Sequence, residues 1–160
     1  MTRLPGVRSI ACTALLSLAA APVLAQNRLS DISIGASSLT EIHTGGTIPG
    51  VTFSATSTNI RGIGLTGEVT GSQFALWLLA GPRFSSGLTG RTVYAQVLGG
   101  LVMAGGEPYF AVQPGAGVDF WMRRRLGVRA GADYQQWMTN SEGVHVFRVH
   151  AGVVVRMGRR

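Results

Sequence analysis

The sequence predicts an all-β fold, an antiparallel up-and-down barrel of eight strands, and three observations carry that prediction. Glycine is abundant and charge is scarce, with 23 glycines in 160 residues and 13% charged side chains. Polar and apolar residues alternate along most of the chain with no sustained 3.6-residue periodicity, which is the pattern of half-buried strands rather than amphipathic helices. Short turn signals separate the alternating stretches, and connections that short join antiparallel neighbours, because a parallel crossover takes a dozen residues or more.

Taken in order, the predicted strands are Leu29 to Ser38, Ile48 to Ser57, Ile60 to Thr70, Gln73 to Ser85, Arg91 to Met103, Pro108 to Trp121, Arg125 to Trp137 and His145 to Met157. The first pair is divided by a longer polar loop, Leu39 to Thr47. Tight turns are predicted at Thr58-Asn59, Gly71-Ser72, Ser86 to Gly90, Gly105-Gly106, Met122 to Arg124 and Asn140 to Gly143. Several strands exceed ten residues, longer than the five or six usual in soluble proteins and matched to the ~9 to 11 residues a tilted strand needs to cross a bilayer.

In the last five strands one face is free of charge and carries residues such as Leu76, Leu78, Val93, Val97, Val112, Val128, Val149 and Val153. The other is rich in glycine and holds Arg83, Asp119, Arg129, Asp133, Arg148 and His150, with Glu68 and Asp31 joining it if the alternation continues into the earlier strands. Alternation alone fits an apolar exterior in lipid or an apolar interior in a soluble, lipocalin-like barrel or sandwich. Three features favour lipid and predict an antiparallel up-and-down eight-stranded transmembrane β-barrel. The aromatic pairs Phe74/Phe84 and Phe110/Phe120 lie ten positions apart on the apolar face. In tilted strands that spacing projects to roughly 23 to 25 Å, the height of the apolar band between two aromatic girdles, and Tyr134 and Phe147 would join one girdle. The polar face has the small residues that a narrow eight-stranded lumen requires. Its charges nearly cancel, and enclosed charges need partners whereas solvated ones do not. The lumen polar network is therefore expected to comprise Glu68, Arg83, Asp119, Arg129, Asp133, Arg148 and His150, with cross-strand pairs favoured over Arg129 with Asp133 on one strand. Trp77, Tyr94 and the arginines are expected to fill the interior and leave no conducting pore.

The beginning of the chain reads as an export signal. Arg3 and Arg8 precede an apolar stretch from Ala11 to Leu24, and Val23-Leu24-Ala25 is a small-residue cleavage site. Residues 1–25 are expected to be removed, leaving residues 26–160 as one barrel domain. Cys12, the one cysteine, would leave with the signal, which excludes a disulfide framework and thiolate chemistry from the mature protein. Apart from the signal, the longest uncharged apolar run, Phe74 to Pro82, is under half the ~20 residues of a membrane-crossing helix. The pI near 11.3 suggests nucleic-acid binding at first sight, but only Arg123-Arg124-Arg125 and Arg159-Arg160 are clustered. No continuous basic face forms, so no nucleic-acid partner is expected.

The segment Gly81-Pro82-Arg83-Phe84 within Phe74 to Ser85, Gly115-Ala116-Gly117-Val118-Asp119 followed by Leu126-Gly127-Val128-Arg129 and Asp133-Tyr134, and the closing Val149 to Arg156 stretch together resemble the small outer-membrane protein β-barrel family. The likeness runs from about Ile60 to Met157. It implies an outer-membrane location, contact with outer-membrane lipid, insertion by the barrel-assembly machinery, and no cofactor. It also implies that both termini face the periplasm with the Thr58-Asn59, Ser86 to Gly90 and Met122 to Arg124 turns, while Leu39 to Thr47 and Thr139 to Val144 face outward. The family usually ends on an aromatic residue, whereas this chain ends Arg156-Met157-Gly158-Arg159-Arg160, a departure that bears on assembly rather than on fold.

A structural or surface-interaction role without catalysis, carried by a monomer, is the reading the residues favour. Two alternatives have defined requirements. A periplasmic lipocalin-like barrel binding a small hydrophobic ligand needs its apolar face inside. A barrel enzyme acting on lipid or peptide needs a converging rim set, for which Glu41, His43, Ser141, Glu142 and His145 supply the residue types without a spacing signature. No spacing supports a metal site at His43 and His145. The arginine clusters are placed where they can meet anionic headgroups or simply mark the membrane boundary.

Overall fold

The computed structural model describes residues 29–58, 62–88, 90–138 and 143–157. The expected signal segment 1–25, the rim candidates Ser141 and Glu142, and Arg159-Arg160 lie outside the described residues.

Eight strands follow one another along the chain: β1 (Leu29–Glu41), β2 (Thr47–Thr58), β3 (Ile63–Ser72), β4 (Ala75–Leu88), β5 (Arg91–Ala104), β6 (Glu107–Trp121), β7 (Leu126–Met138) and β8 (Val144–Arg156). Each pairs antiparallel with its neighbour in sequence, and β1 pairs with β8, so the sheet closes on itself and has no free edge. The expected antiparallel up-and-down eight-stranded barrel is the fold that forms.

Several boundaries differ from the sequence reading, for local reasons. The first strand runs on to Glu41, and the long polar loop expected over Leu39 to Thr47 contracts to Ile42–Gly46. Here the backbone closes on itself, with Glu41 N–H donating to the Gly46 carbonyl and Gly45 N–H to the Glu41 carbonyl, both at 2.9 Å. The third strand begins at Ile63 rather than Ile60, because Gly62 takes a positive φ of 77° that turns the chain into the strand. The turn expected at Gly71-Ser72 falls two residues later, at Gln73-Phe74, where the Ser72 hydroxyl accepts the N–H groups of Phe74 and Ala75. Ser86, Gly87 and Leu88, expected in a turn, extend β4. Gly105-Gly106 and the Met122 to Arg124 turn keep their predicted places, and the turn expected over Asn140 to Gly143 falls largely outside the described residues; the glycine pair shows why such a turn is legible. Both residues have positive φ, as the two-residue turn that matches strand twist requires.

Proline 82 and proline 114 sit within strands and have no N–H for the ladder. Pro82 pairs with Leu65 of β3, while the β4–β5 pairing skips Gly81-Pro82 and resumes in the same register. Pro114 likewise pairs with Val97, and the β6–β7 ladder skips Gln113-Pro114. Each proline therefore interrupts the ladder on one side only, with no shift of faces.

Candidate functional site

Alternation places every second side chain in the lumen, and closure of the barrel brings those side chains into three stacked zones. They are described from the rim that carries both chain ends, the terminal rim, towards the opposite rim.

The zone nearest the terminal rim is ionic. Arg129 and Asp119 are register partners across β6 and β7. Arg129 Nε donates to Asp119 Oδ1 at 2.7 Å and Nη2 to Oδ2 at 3.0 Å, while Nη2 also reaches Asp31 Oδ1 at 2.8 Å. Its remaining nitrogen, Nη1, donates to the Ser33 and Ser54 hydroxyls, both at 3.1 Å. Arg83 Nη2 donates to Asp119 Oδ2, the oxygen that Arg129 Nη2 also uses, at 3.1 Å, and Arg83 Nη1 lies 4.0 Å from Asp31. Two guanidiniums thus share two carboxylates, and Asp119 binds both.

The middle zone is built on Arg148, which is fully buried. It donates to its register partner Asp133 through Nη2 at 2.6 Å, lies 2.7 Å from Glu68, and reaches the Thr70 hydroxyl at 2.7 Å. Gln113 donates to Glu68 and is itself bonded by Gln135, which continues the network across β6 and β7. Tyr94 and His150 join the two zones. The Tyr94 hydroxyl is hydrogen-bonded to His150 Nε2 at 3.1 Å, His150 Nδ1 lies 3.0 Å from Asp133, and the Arg83 guanidinium stacks 3.7 Å from the Tyr94 ring centroid. Buried charges are costly unless paired and hydrogen-bonded. Here each lumen arginine and carboxylate has at least one such partner, supplied by the neighbouring strand or by strands far apart in sequence, while Arg83 Nε and Asp133 Oδ1 are buried without a hydrogen bond.

The third zone corrects the expectation of a polar, glycine-rich lumen throughout. Towards the opposite rim the interior is apolar: Leu39, Trp77, Leu79, Leu98, Val102, Ala111 and Val146 are buried together, with Tyr109 and Trp137 packed against them. Trp77 and Trp137 meet edge to face at 5.9 Å, and Tyr109 stacks on Trp137 at 6.2 Å. Trp77 was expected inside, but the other inward apolar positions escaped the sequence reading because β4 carries Leu76-Trp77-Leu78-Leu79 and β5 carries Leu101-Val102. In such stretches both faces are apolar and alternation gives no signal. A cavity of about 10 Å³ beside Ser33, Thr52, Arg129 and His150 has room for about one water. Glycine makes the filling possible. A Cβ at Gly117 would lie 2.5 Å from the Tyr94 ring, and one at Gly131 would lie 2.7 Å from His150.

The outer surface is the reverse of the lumen. Ile34, Val51, Phe53, Val93, Val97, Leu101, Val149 and Val153 project outward and are exposed. So are Phe74, Phe84, Phe110, Phe120, Tyr134 and Phe147, with Phe84 and Phe120 towards the terminal rim and the other four towards the opposite rim. An apolar surface this continuous has no place in water and is the form of a barrel whose solvent is lipid.

The rims differ in charge. On the opposite rim Glu41 accepts a hydrogen bond from Thr44 at 2.8 Å, His43 and His145 meet edge to face at 5.6 Å, and His145 Nδ1 is bonded to the Tyr134 hydroxyl at 2.5 Å. His145 is thus engaged by the Tyr134 hydroxyl rather than by a carboxylate. Among the described residues no group of three or more histidines, cysteines and acids is arranged to hold a metal. On the terminal rim Arg123, Arg124 and Arg125 form the exposed β6–β7 turn.

No protein-family model matches the chain, and no curated protein matches its sequence. Solved structures do match its fold. Neisserial surface protein A (NspA) aligns at a TM-score of 0.61 with 14% identity over 79% of this chain and 96% of that one. The N-terminal β-barrel domain of Pseudomonas aeruginosa OprF aligns at 0.59 with 12% identity over 80% and 98%. Ail, the attachment invasion locus protein of Yersinia pestis, solved with the heparin analogue sucrose octasulfate, aligns at 0.58 with 18% identity over 81% and 98%. With a closed ring of eight antiparallel strands, an ion-paired lumen and an apolar exterior, the chain has the fold of the small outer-membrane β-barrel proteins.

Proposed function

We propose that the protein resides in the outer membrane as a non-enzymatic barrel with a structural or surface-interaction role, its lumen closed by its own side chains. The observation that carries this reading is the distribution of polarity. Paired charges and close-packed aromatics occupy the interior, while the exterior is apolar between two sets of aromatic residues. Phe84 and Phe120 form one girdle, and Phe74, Phe110, Tyr134 and Phe147 the other. The apolar exterior speaks against a lipocalin-like ligand barrel, which needs the inverse layout. In this reading residues 1–25 are the export signal, the terminal rim faces the periplasm, the monomer is inserted by the barrel-assembly machinery, and lipid is its principal partner.

Within that role the opposite rim favours structure over adhesion. Its described connections are short: Ile42–Gly46, Gln73-Phe74 and Gly105-Gly106. Its described charged residues are Glu41 and Glu107, so among the described residues it presents no arginine to a negatively charged surface partner. In this it differs from what a sulfated ligand such as that in the Ail complex requires.

The test is cell fractionation followed by gel migration with and without boiling, and current recording in planar bilayers. Outer-membrane recovery, a heat-dependent shift and no stable single-channel current are expected. Recovery as a soluble periplasmic protein without a shift would overturn the reading, and a stable current would overturn the closed lumen.

A further inference from the structure

Charge at the two rims is segregated by end. Among the described residues Arg91, Arg123, Arg124, Arg125 and Arg156 all lie at the terminal rim, whereas Glu41 and Glu107 lie at the opposite rim. The acids that come nearest the terminal rim, Asp31 and Asp119, are committed to Arg83 and Arg129 inside the barrel. Among the described residues, none of the five rim arginines has a carboxylate within ion-pair distance.

Among the described residues the five lie on one side. Arg91 opens β5, Arg123 to Arg125 form the β6–β7 turn, and Arg156 closes β8, which makes an arc over adjacent strands. The described rim residues of the other half, such as Ser30, Gly62, Ser86 and Gly87, are uncharged. The arc is flush with the apolar belt rather than raised above it. The Arg91 guanidinium lies 5.5 Å over the outward Phe120 ring, whereas Arg156, the register partner of the inward Asp31, turns to the lumen mouth and lies 3.9 Å from the inward Trp121 ring. Met122, next to Arg123, is 63% exposed, and Leu126, next to Arg125, is exposed as well.

We propose that this arc is a binding site for anionic phospholipids, with acyl chains on the apolar strip around Phe120, Met122 and Leu126 and the phosphate held by the arginines. Three properties support it. The site joins apolar surface to unpaired cations at the level where a bilayer changes from chain to headgroup. Every cation is arginine, whose planar fork binds phosphate through two parallel hydrogen bonds. Among the described residues the cations adjoining the apolar strip, Arg91 and Arg123 to Arg125, gather on neighbouring strands β5 to β7, which concentrates positive charge at one place. Because the arginines follow directly on lipid-facing residues, a membrane headgroup fits better than the cell-wall polymer beyond it. The inference rests on the transmembrane reading proposed above.

The full chain is inserted into phosphatidylcholine nanodiscs containing a minor fraction of phosphatidylglycerol, and the lipids it retains on mild delipidation are read by native mass spectrometry. An arginine at an anionic bilayer surface contributes about fivefold, so retention of phosphatidylglycerol is expected to exceed its share of the disc by about tenfold or more. That excess is expected to fall to about twofold or less in the Arg123→Gln/Arg124→Gln/Arg125→Gln variant, to fall partly in Arg91→Gln, and to be unchanged in Glu107→Gln. Insertion and the heat-dependent gel shift are followed in each sample. A wild type that inserts without lipid preference, or a triple variant that keeps the full preference, overturns the site alone. A wild type that does not insert overturns the transmembrane reading. Retention on isolated peptidoglycan sacculi that the triple variant loses, with no lipid preference in the wild type, would assign the arc to the cell wall and overturn the lipid site.

Discussion

Asp133 and Arg148 stand directly opposite one another in the β7–β8 register, and Asp119 and Arg129 do the same across β6 and β7. Each arginine then reaches past its partner strand to a second carboxylate across the lumen, Glu68 for Arg148 and Asp31 for Arg129. The ion pairs therefore tie together walls of the barrel that share no ladder.

That geometry makes Asp119 the member whose loss is most costly, because both Arg83 and Arg129 depend on it. Asp119→Ala leaves two buried guanidiniums sharing Asp31 and is expected to destabilise the barrel by ~3–5 kcal/mol. Reversible denaturant unfolding in lipid vesicles measures it. In the double variant with Arg129→Met the two losses are expected to sum to more than the measured cost, the signature of coupled sites. Simple additivity would show that the pair is not a unit.

Gly117 and Gly131 flank Tyr94 and His150, and neither has room for a methyl group. Gly117→Ala is expected to cost ~1–3 kcal/mol through displacement of the Tyr94 ring. Restoring room with Tyr94→Phe in the same chain is expected to recover part of it, since the closest atom to the added Cβ is the hydroxyl oxygen.

Val97 lies midway along β5, outward and exposed. Val97→Arg places a charge near the bilayer midplane and is expected to cost ~2–4 kcal/mol in vesicles. An arginine tolerated there at no cost would mean that this face does not meet lipid.

His43 and His145 touch one another, and His145 is held by Tyr134 rather than by an acid. The His43→Ala/His145→Ala variant is expected to keep its gel shift and to change stability by ~0.5 kcal/mol or less. It is also expected to match the wild type in lipid and peptide turnover assays. A turnover present in the wild type and lost in the variant would revive the enzyme reading.

The sequence by itself determined that the chain is all-β, antiparallel and eight-stranded, and which face of the later strands is apolar. Period-two alternation and turn residues are local properties, readable wherever the two faces of a strand differ. The β7 and β8 runs that carry Arg129, Asp133, Arg148 and His150 are of this kind. Only the tertiary structure decided the rest. The ends of β1, β3 and β4 were set by turn geometry around Gly45, Gly62 and Ser72, which composition does not encode. The inward Leu79, Leu98, Val102 and Val146 were invisible because their strands are apolar on both faces there. The pairing of Asp31 with Arg129, across 98 positions of sequence, exists only because β1 closes on β8. Charge balance in the sequence requires that such partners exist, but which carboxylate meets which guanidinium depends on the register of a closed sheet, and register is a property of the assembled barrel.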